Sequence, residues 1–593
     1  MKTLLRLAHL VTVLCASLLG AHGAQANTAD LIVRNARITT LNAAIPEATA
    51  LAVKDGKFVA VGDDGAVAEW KGNATNEIDA GGRRLIPGLN DSHLHATRGA
   101  RFYNLELRWD GVKSLKRGLE MIAEQSKRTP KGEWVRVIGG WSPYQFEERR
   151  MPTVQELNEA SPDTPVFVLC LYSRGFLNAA GAKTLNITAE TKAPPGGRYE
   201  IVDGGAVLYA DPDPGLLYQT IAKLPGLSAE NQVNSARQFF HELNRLGITS
   251  AVDAGGGGHQ FPDDYAASNL LAQEGGLSVR ISYYLFPQKA GEELASFQKW
   301  MGATKLYEQL DKTLEGGYQL EGGGEYLTWS TGDLENFMAP RPDFAQRGDW
   351  KEQLTAVTTE LVRGGWPLRI HATYRESLSH ILDVFEQVAK QQGKFAPRWV
   401  IDHAETATEA ELKRIKALGG GVAIQDRMAF AGEYFAERYG KDAGRNSPPV
   451  RAMLEMGLPV GAGTDGTRVA SYNPWLSLYW LVTGKTMGGA SLFSEQNKLS
   501  RAEALELWTH GSAWISQEEK VKGRIAPGQY ADFAILNADY MNVPEEQIKS
   551  IAAVLTVTNG KPVFGAGDFV QFDKPMPAVK PDWSPVVNFG GYQ

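Results

Sequence analysis

The chain has 593 residues, 43% hydrophobic and 22% charged, with a net charge of −7. That length exceeds one small module, and the ordinary globular composition excludes wholesale disorder and low-complexity scaffolds. The acidic balance excludes a sequence-independent nucleic-acid binder.

Residues 1–26 read as a secretory signal peptide. Lys2 and Arg6 precede an apolar run from Leu7 to Leu19, and Ala24-Gln25-Ala26 supplies a small-residue cleavage site. The run falls short of the ~20 residues needed to span a bilayer. Removing Lys2 and Arg6, one positive charge each, takes the charge from −7 to −9 and leaves Cys170 as the single cysteine, so no intrachain disulfide can form. The expectation is a periplasmic or secreted protein with no membrane attachment after cleavage, stabilised by a large core.

Residues 27–87 read as short strands. Leu51-Ala52-Val53 and Phe58-Val59-Ala60-Val61 flank Lys54-Asp55-Gly56-Lys57, and an Asp-Gly pair suits a tight hairpin turn. Ala531 to Leu536 and Ile551 to Val557 have the same texture. Neither end alone can bury a core, so the expectation is one β-sandwich built from residues 27–87 and 516–593, with an extended Pro-rich tail after 565.

Residues 88–515 alternate apolar runs with helical patterns, as a (β/α)8 TIM barrel requires, which makes the fold class α/β. Nine candidate strands start near Leu85, Trp134, Pro165, Ile248, Val279, Pro367, Trp399, Gly421 and Pro459. Nine exceed the eight barrel positions, which places an insertion at about 97–240. Thr408 to Leu418 and Arg501 to Trp514 carry amphipathic helical spacing.

Four of the ten histidines sit at ends of candidate strands. His93 and His95 form an H-x-H pair, and residues i and i+2 of a strand share a face. His371 follows Leu368-Arg369-Ile370, His403 follows Val400-Ile401-Asp402, and Asp465 follows Gly461-Ala462-Gly463-Thr464. In a parallel barrel all strand C-termini open on one face, so these distant residues converge. Four imidazoles and a carboxylate suit a divalent metal, zinc first, with iron or manganese as alternatives. Trp141, Gln425 and Arg427 follow candidate strands and are candidates to line a substrate pocket, an arginine there suiting an anionic group. His241, His259, His380 and His510 fall outside the pattern.

Pro87-Gly88-Leu89-Asn90-Asp91-Ser92-His93-Leu94-His95, Gly139-Gly140-Trp141, Ile370-His371-Ala372, Asp402-His403-Ala404, Gly463-Thr464-Asp465 and Gly523-Arg524-Ile525-Ala526-Pro527-Gly528-Gln529-Tyr530-Ala531-Asp532 occur in this order. Together they resemble the amidohydrolase superfamily, specifically the YtcJ-like branch that includes N-substituted formamide deformylases. The resemblance covers nearly the whole chain after the signal segment. It implies a barrel on a β-sandwich and a metal-dependent hydrolase of C–N bonds, with one or two ions. It also implies that Asp465 takes the proton of the attacking water and passes it to the leaving nitrogen. Family members often bridge two metals with a Lys or Glu on the fourth barrel strand. The corresponding stretch here is Tyr318 to Glu325, which has no lysine, so Glu321 is the candidate and Glu325 the alternative. The family's Asp-Gly-His segment is replaced near Tyr172-Ser173-Arg174, and its Gly-Asp after the third metal histidine by Tyr374-Arg375. An esterase or lactonase on the same site, or a non-catalytic binding protein, stays open at this stage. The substrate is expected to be a small molecule; a homo-oligomer is left open.

Overall fold

The computed structural model describes residues 28–333, 337–338, 341, 343–393, 395 and 397–593, and the expected signal segment lies outside them. Its centre is a barrel of eight parallel strands: β1 Leu89–Leu94, β2 Ile248–Asp253, β3 Arg280–Leu285, β4 Tyr318–Gly323, β5 Leu368–Ala372, β6 Trp399–His403, β7 Gly421–Gln425 and β8 Val460–Gly463. Each strand pairs with the next in chain order, and every residue in them is buried, which is why most read as unbroken apolar runs. The seam between β8 and β1 is clasped by a side chain. Asp91 accepts from the Thr464 backbone N–H at 3.1 Å and from its hydroxyl at 2.6 Å, and the Asp465 N–H donates to the His93 carbonyl at 2.8 Å. Burial pushes the Asp91 carboxyl up to about 7 despite these bonds.

Two of the nine candidate strands, both inside the stretch expected to hold an insertion, are not barrel strands, and the run from Leu85 to Leu89 lies mostly in Arg84–Pro87 of another sheet, reaching β1 only at Leu89. Val135–Ile138 and Val166–Cys170 belong to a separate five-stranded sheet with Arg174–Leu177, Gly205–Ala210 and Gly197–Val202, which packs its own core of Trp134, Phe167, Leu169 and Leu208. The eighth barrel strand is β4, whose glycines and glutamate disguise it as a loop.

Beneath the barrel lie two sheets that share a core. One contains Lys57–Gly62, Ala50–Lys54, Leu31–Arg34 and Asn76–Asp79. The other orders Lys561–Gly565, Ala553–Thr558, Phe533–Leu536, Arg84–Pro87, Arg37–Thr39 and Glu47–Ala48, so both chain ends meet in one sheet. Leu31, Val33, Leu51, Phe58, Leu85, Phe533, Ile535 and Leu555 fill the space between them. The hairpin turns at Asp55 (φ 50°) and Gly56 (φ 74°), the left-handed pair a two-residue turn needs. A buried ion pair, Arg280 Nε to Asp532 Oδ2 at 2.8 Å, ties barrel strand β3 to this layer.

The helix expected at Thr408 runs Glu409–Ala417 and starts with a capping box of Thr408 and Glu411. That expected from Arg501 to Trp514 is broken into Arg501–Glu506, a wide turn Leu507–Gly511 and Ser512–Ile515. Past 565 the chain leaves the sheet. Ser584 bonds the Asn104 carbonyl at 2.6 Å and the Gln593 N–H the Asp110 carbonyl at 3.0 Å, so the tail packs along the segment after the first barrel helix. Among the described residues no helix is long and apolar enough to cross a membrane.

Candidate metal centre and substrate cavity

The C-terminal ends of β1, β5, β6 and β8 bring His93, His95, His371, His403 and Asp465 to one mouth. His403 and Asp465 hold left-handed backbone (φ 81° and 57°), conformations costly for non-glycine residues and concentrated at functional sites. The carboxylate that the structure brings to these histidines is Glu325, not Glu321. Strand β4 ends at Gly323, so Glu325 stands beyond its end, at the mouth. Glu321 is two residues short of that end and is engaged by the Gln319 amide at 3.0 Å and the Gln517 amide at 3.2 Å. Burial and the nearby Glu518 push Glu321 up to about 8, keeping it neutral.

Three of the imidazoles, those of His93, His95 and His371, turn one nitrogen outward to a protein partner and one inward. His93 Nδ1 lies 3.0 Å from Asp402 Oδ1, and Asp402 is fixed by Arg369, whose Nε donates to Oδ2 at 2.8 Å. Burial alone raises the Asp402 carboxyl, but Arg369 and His93 outweigh it and hold it below the usual range. His95 Nδ1 meets the Gly255 carbonyl, and His371 Nε2 faces Asp333 Oδ1 at 3.1 Å and the Thr373 hydroxyl at 3.1 Å. Such outer partners fix the tautomer of a metal-binding imidazole.

The inward atoms converge. His93 Nε2 is 3.2 Å from Glu325 Oε2 and 3.6 Å from Asp465 Oδ1; His95 Nε2 is 2.9 Å from Asp465 Oδ1; His371 Nδ1 is 2.8 Å from Glu325 Oε1; His403 Nε2 is 3.9 Å from the same oxygen. Where the outer nitrogen donates outward, these contacts set an imidazole lone pair against a carboxylate oxygen, an arrangement that a bound cation satisfies. His93 Nε2, Glu325 Oε2 and both His403 nitrogens are buried and make no hydrogen bond. Burial and the neighbouring Arg427 hold His403 well below the usual histidine range, which favours the neutral imidazole that metal ligation needs. His93, although burial opposes it, is pushed up to about 9 by Asp402 and Glu325. That position asks for a positive charge between the two carboxylates. Two donor triads with ligating atoms within 4.8 Å of one another, His93–Glu325–His403 and His93–His95–Asp465, share His93. The residues therefore fit a divalent metal of the kind bound by imidazole and carboxylate.

A cavity of about 460 Å³ opens over this centre, with His95, Glu325, His371 and Asp465 in its wall. Phe286, Tyr326 and Trp329 form an aromatic side, Tyr326 stacking on His371 at 5.0 Å between ring centroids. Tyr172, Tyr218 and Leu224, from the segment carrying the five-stranded sheet, cover it. Arg427 is in the wall: its Nε donates to Glu405 at 2.9 Å, and its Nη1 stands 3.8 Å from Asp465 Oδ2. Trp141 and Gln425 do not reach the cavity. Trp141 is fully buried against Trp109 and Phe146 and donates to the Leu169 carbonyl at 2.9 Å. The Gln425 amide folds back onto the Ala423 carbonyl at 2.7 Å. The Gly139-Gly140-Trp141 motif instead clamps the loop after Asp465. Gly140 N–H donates to the Arg468 carbonyl at 3.0 Å, and a Cβ on Gly139 (φ 75°) would collide with that carbonyl. Arg98, His259 and Arg468 also line the cavity, and nothing in their spacing marked them beforehand.

Residues 76–564 match the model of the amidohydrolase family (Amidohydro_3). The N-substituted formamide deformylase of Arthrobacter pascens is 25% identical over 551 residues, 90% of this chain and 97% of its own. The putative amidohydrolase YtcJ of Bacillus subtilis is 26% identical over 544 residues, 87% and 96% of the two chains. Among solved structures, an uncharacterized metal-dependent hydrolase from Pyrococcus horikoshii OT3 superposes with a TM-score of 0.61 at 22% identity, covering 87% of this chain and 99% of that one. The family match takes in the whole barrel and the strands Arg84–Pro87 and Phe533–Leu536 that pair across the chain ends beneath it, and the chain belongs to the amidohydrolase family of metal-dependent hydrolases.

Proposed function

We propose that the protein hydrolyses a C–N bond of a small amide, an N-acyl, formamide or cyclic amide, with zinc as the resident ion. The observation that carries this reading is the set of buried, unbonded inward atoms of His93, Glu325 and His403, beside a cavity whose wall includes Glu325. His93, His95, Glu325, His371, His403 and Asp465 would hold a divalent ion, which would supply an acidified water and a Lewis acid for the carbonyl. Asp465, at the cavity wall, would take the attacking water's proton and pass it to the leaving nitrogen. Arg427, 3.8 Å away, keeps the Asp465 carboxylate oriented while its own charge is matched by Glu405. Tyr326 and Trp329 shed water from the reacting centre and hold an apolar arm of the substrate. The similarity to the Arthrobacter deformylase supports amide over ester.

The test is turnover of matched amide and ester pairs by protein stripped with a chelator and then given zinc. Amide turnover that vanishes on stripping and returns with zinc is expected; ester turnover with no amide turnover would overturn the choice of bond. Export is part of the same reading, supported by Lys2, Arg6 and the Ala24-Gln25-Ala26 site, and N-terminal sequencing of the mature protein should begin at Asn27.

A further inference from the structure

Four arginines line the cavity, and they divide into two kinds. Arg101 is paired with Asp264 at 2.6 Å and Arg427 with Glu405. Arg98 and Arg468, 3% and 5% exposed, have no carboxylate within ion-pair distance among the described residues. Arg98 makes no side-chain hydrogen bond there, and its Nε is buried and unbonded. Arg468 has one, a 3.3 Å bond to the Tyr172 hydroxyl, and its Nε is likewise unbonded. Burying a guanidinium without a counter-charge is costly, and such a charge is retained where a ligand completes it.

The two sit at equivalent places in the chain. Arg98 is three residues after His95, in the first turn of the helix Ala96–Phe102, and Arg468 is three residues after Asp465. Both are therefore tethered beside the metal-facing groups. His259 completes the group. It is buried, neither ring nitrogen is hydrogen-bonded, and burial with the neighbouring Arg98 and Arg101 keeps it neutral, so it offers one N–H. It lies across Gly256 from His95: a Cβ on Gly256 would be 3.1 Å from His95 Nδ1 and 3.2 Å from His259 Cε1.

Building on the amide-hydrolase reading, we infer that the substrate carries a carboxylate, received by Arg98 and Arg468 with His259, while its apolar part lies on Phe286, Tyr326 and Trp329. Planar guanidinium forks match carboxylate geometry, and two unpaired cations beside one aromatic wall select an amphiphilic anion over a neutral amide.

The test reads affinity without turnover. Calorimetric titration of the zinc-loaded protein compares 3-phenylpropanoate with the neutral, non-hydrolysable 3-phenyl-1-propanol, in the wild type and in Arg98→Gln, Arg468→Gln and Arg98→Lys. The expected result is a preference for the carboxylate of about tenfold or more, lost in both glutamine variants with the alcohol's affinity unchanged, and partly kept by Arg98→Lys. A wild type without preference, or glutamine variants that keep it, overturns the inference. So does a preference that disappears on chelation and survives the substitutions, because the ion would then hold the carboxylate. Should Arg98→Gln fail to fold, Arg468→Gln decides alone. A failed amide assay leaves this result standing, and a lost preference leaves hydrolysis standing.

Discussion

Glu325 Oε2 lies 3.2 Å from His93 Nε2 inside the barrel mouth, and neither atom makes a hydrogen bond. Both flanking shells are anchored by paired groups, Asp402 with Arg369 and Asp91 with Thr464. A carboxylate oxygen and an imidazole nitrogen that face each other unbonded in a buried site fit the place of a cation.

The outer partners of His93 set how firmly that cation is held. Arg369→Gln strands the Asp402 carboxylate in the barrel without its counter-charge. It is expected to cost about 3–5 kcal/mol of stability and to weaken metal binding by ~10–100-fold. Asp402→Asn keeps the shape but leaves the buried Arg369 guanidinium without its counter-charge, so it too loses stability as well as metal affinity. Denaturant unfolding and competition against a chelator separate the two; unchanged metal affinity in both variants would contradict the assignment.

Glu321 predicts a pH dependence of stability. Its pKa is pushed up to about 8 in the fold, above the ordinary carboxylate value, so between the two values the native state binds more protons than the unfolded chain. Stability from this group is present at low pH and lost as pH rises towards 8. Glu321→Gln should remove that component, so the variant loses less stability than the wild type between pH 5 and pH 9. Parallel melting curves across that range check it; identical slopes would count against a neutral Glu321.

The Gly139 contact ties the inserted sheet to the loop after Asp465. Gly139→Ala must push the Arg468 carbonyl away, at a position where positive φ already strains an alanine. The expected outcome is a fall in kcat/KM of about tenfold or more, with metal content unchanged, because the ligands of β1, β5 and β6 are untouched. Kinetics beside elemental analysis test it.

Asp465→Asn keeps the shape of the loop and removes the proton carrier. Turnover should fall by ~10²–10⁴-fold, while an ion held through His93, Glu325 and His403 stays bound. Turnover within threefold of wild type would exclude Asp465 as the acid–base.

The four strand-end histidines and Asp465 were legible because a strand's period of two and the barrel's single open face leave few alternatives. Glu325 was harder to fix. Glycines 322–324 blur where β4 ends, and a shift of four residues decides whether a carboxylate faces Gln517 or the mouth. The runs at Trp134 and Pro165, inside the stretch expected to hold an insertion, could not be told from barrel strands by composition, because a fully buried strand reads the same in either sheet. Trp141 looked like a pocket residue for the same reason: only the packing of Trp109 and Phe146 shows it to be core. Arg98 and Arg468 carry no periodic signal, and their significance lies in the carboxylates that are missing beside them.

The most direct test of the account is metal per chain, by elemental mass spectrometry after zinc is offered, in wild type, His93→Ala/His95→Ala, Glu325→Gln and Glu321→Gln. The account predicts at least one equivalent in the wild type and in Glu321→Gln, and a loss of bound metal in the double histidine variant and in Glu325→Gln. A folded wild type that takes up no metal, or a Glu325→Gln protein with the full complement, would contradict it.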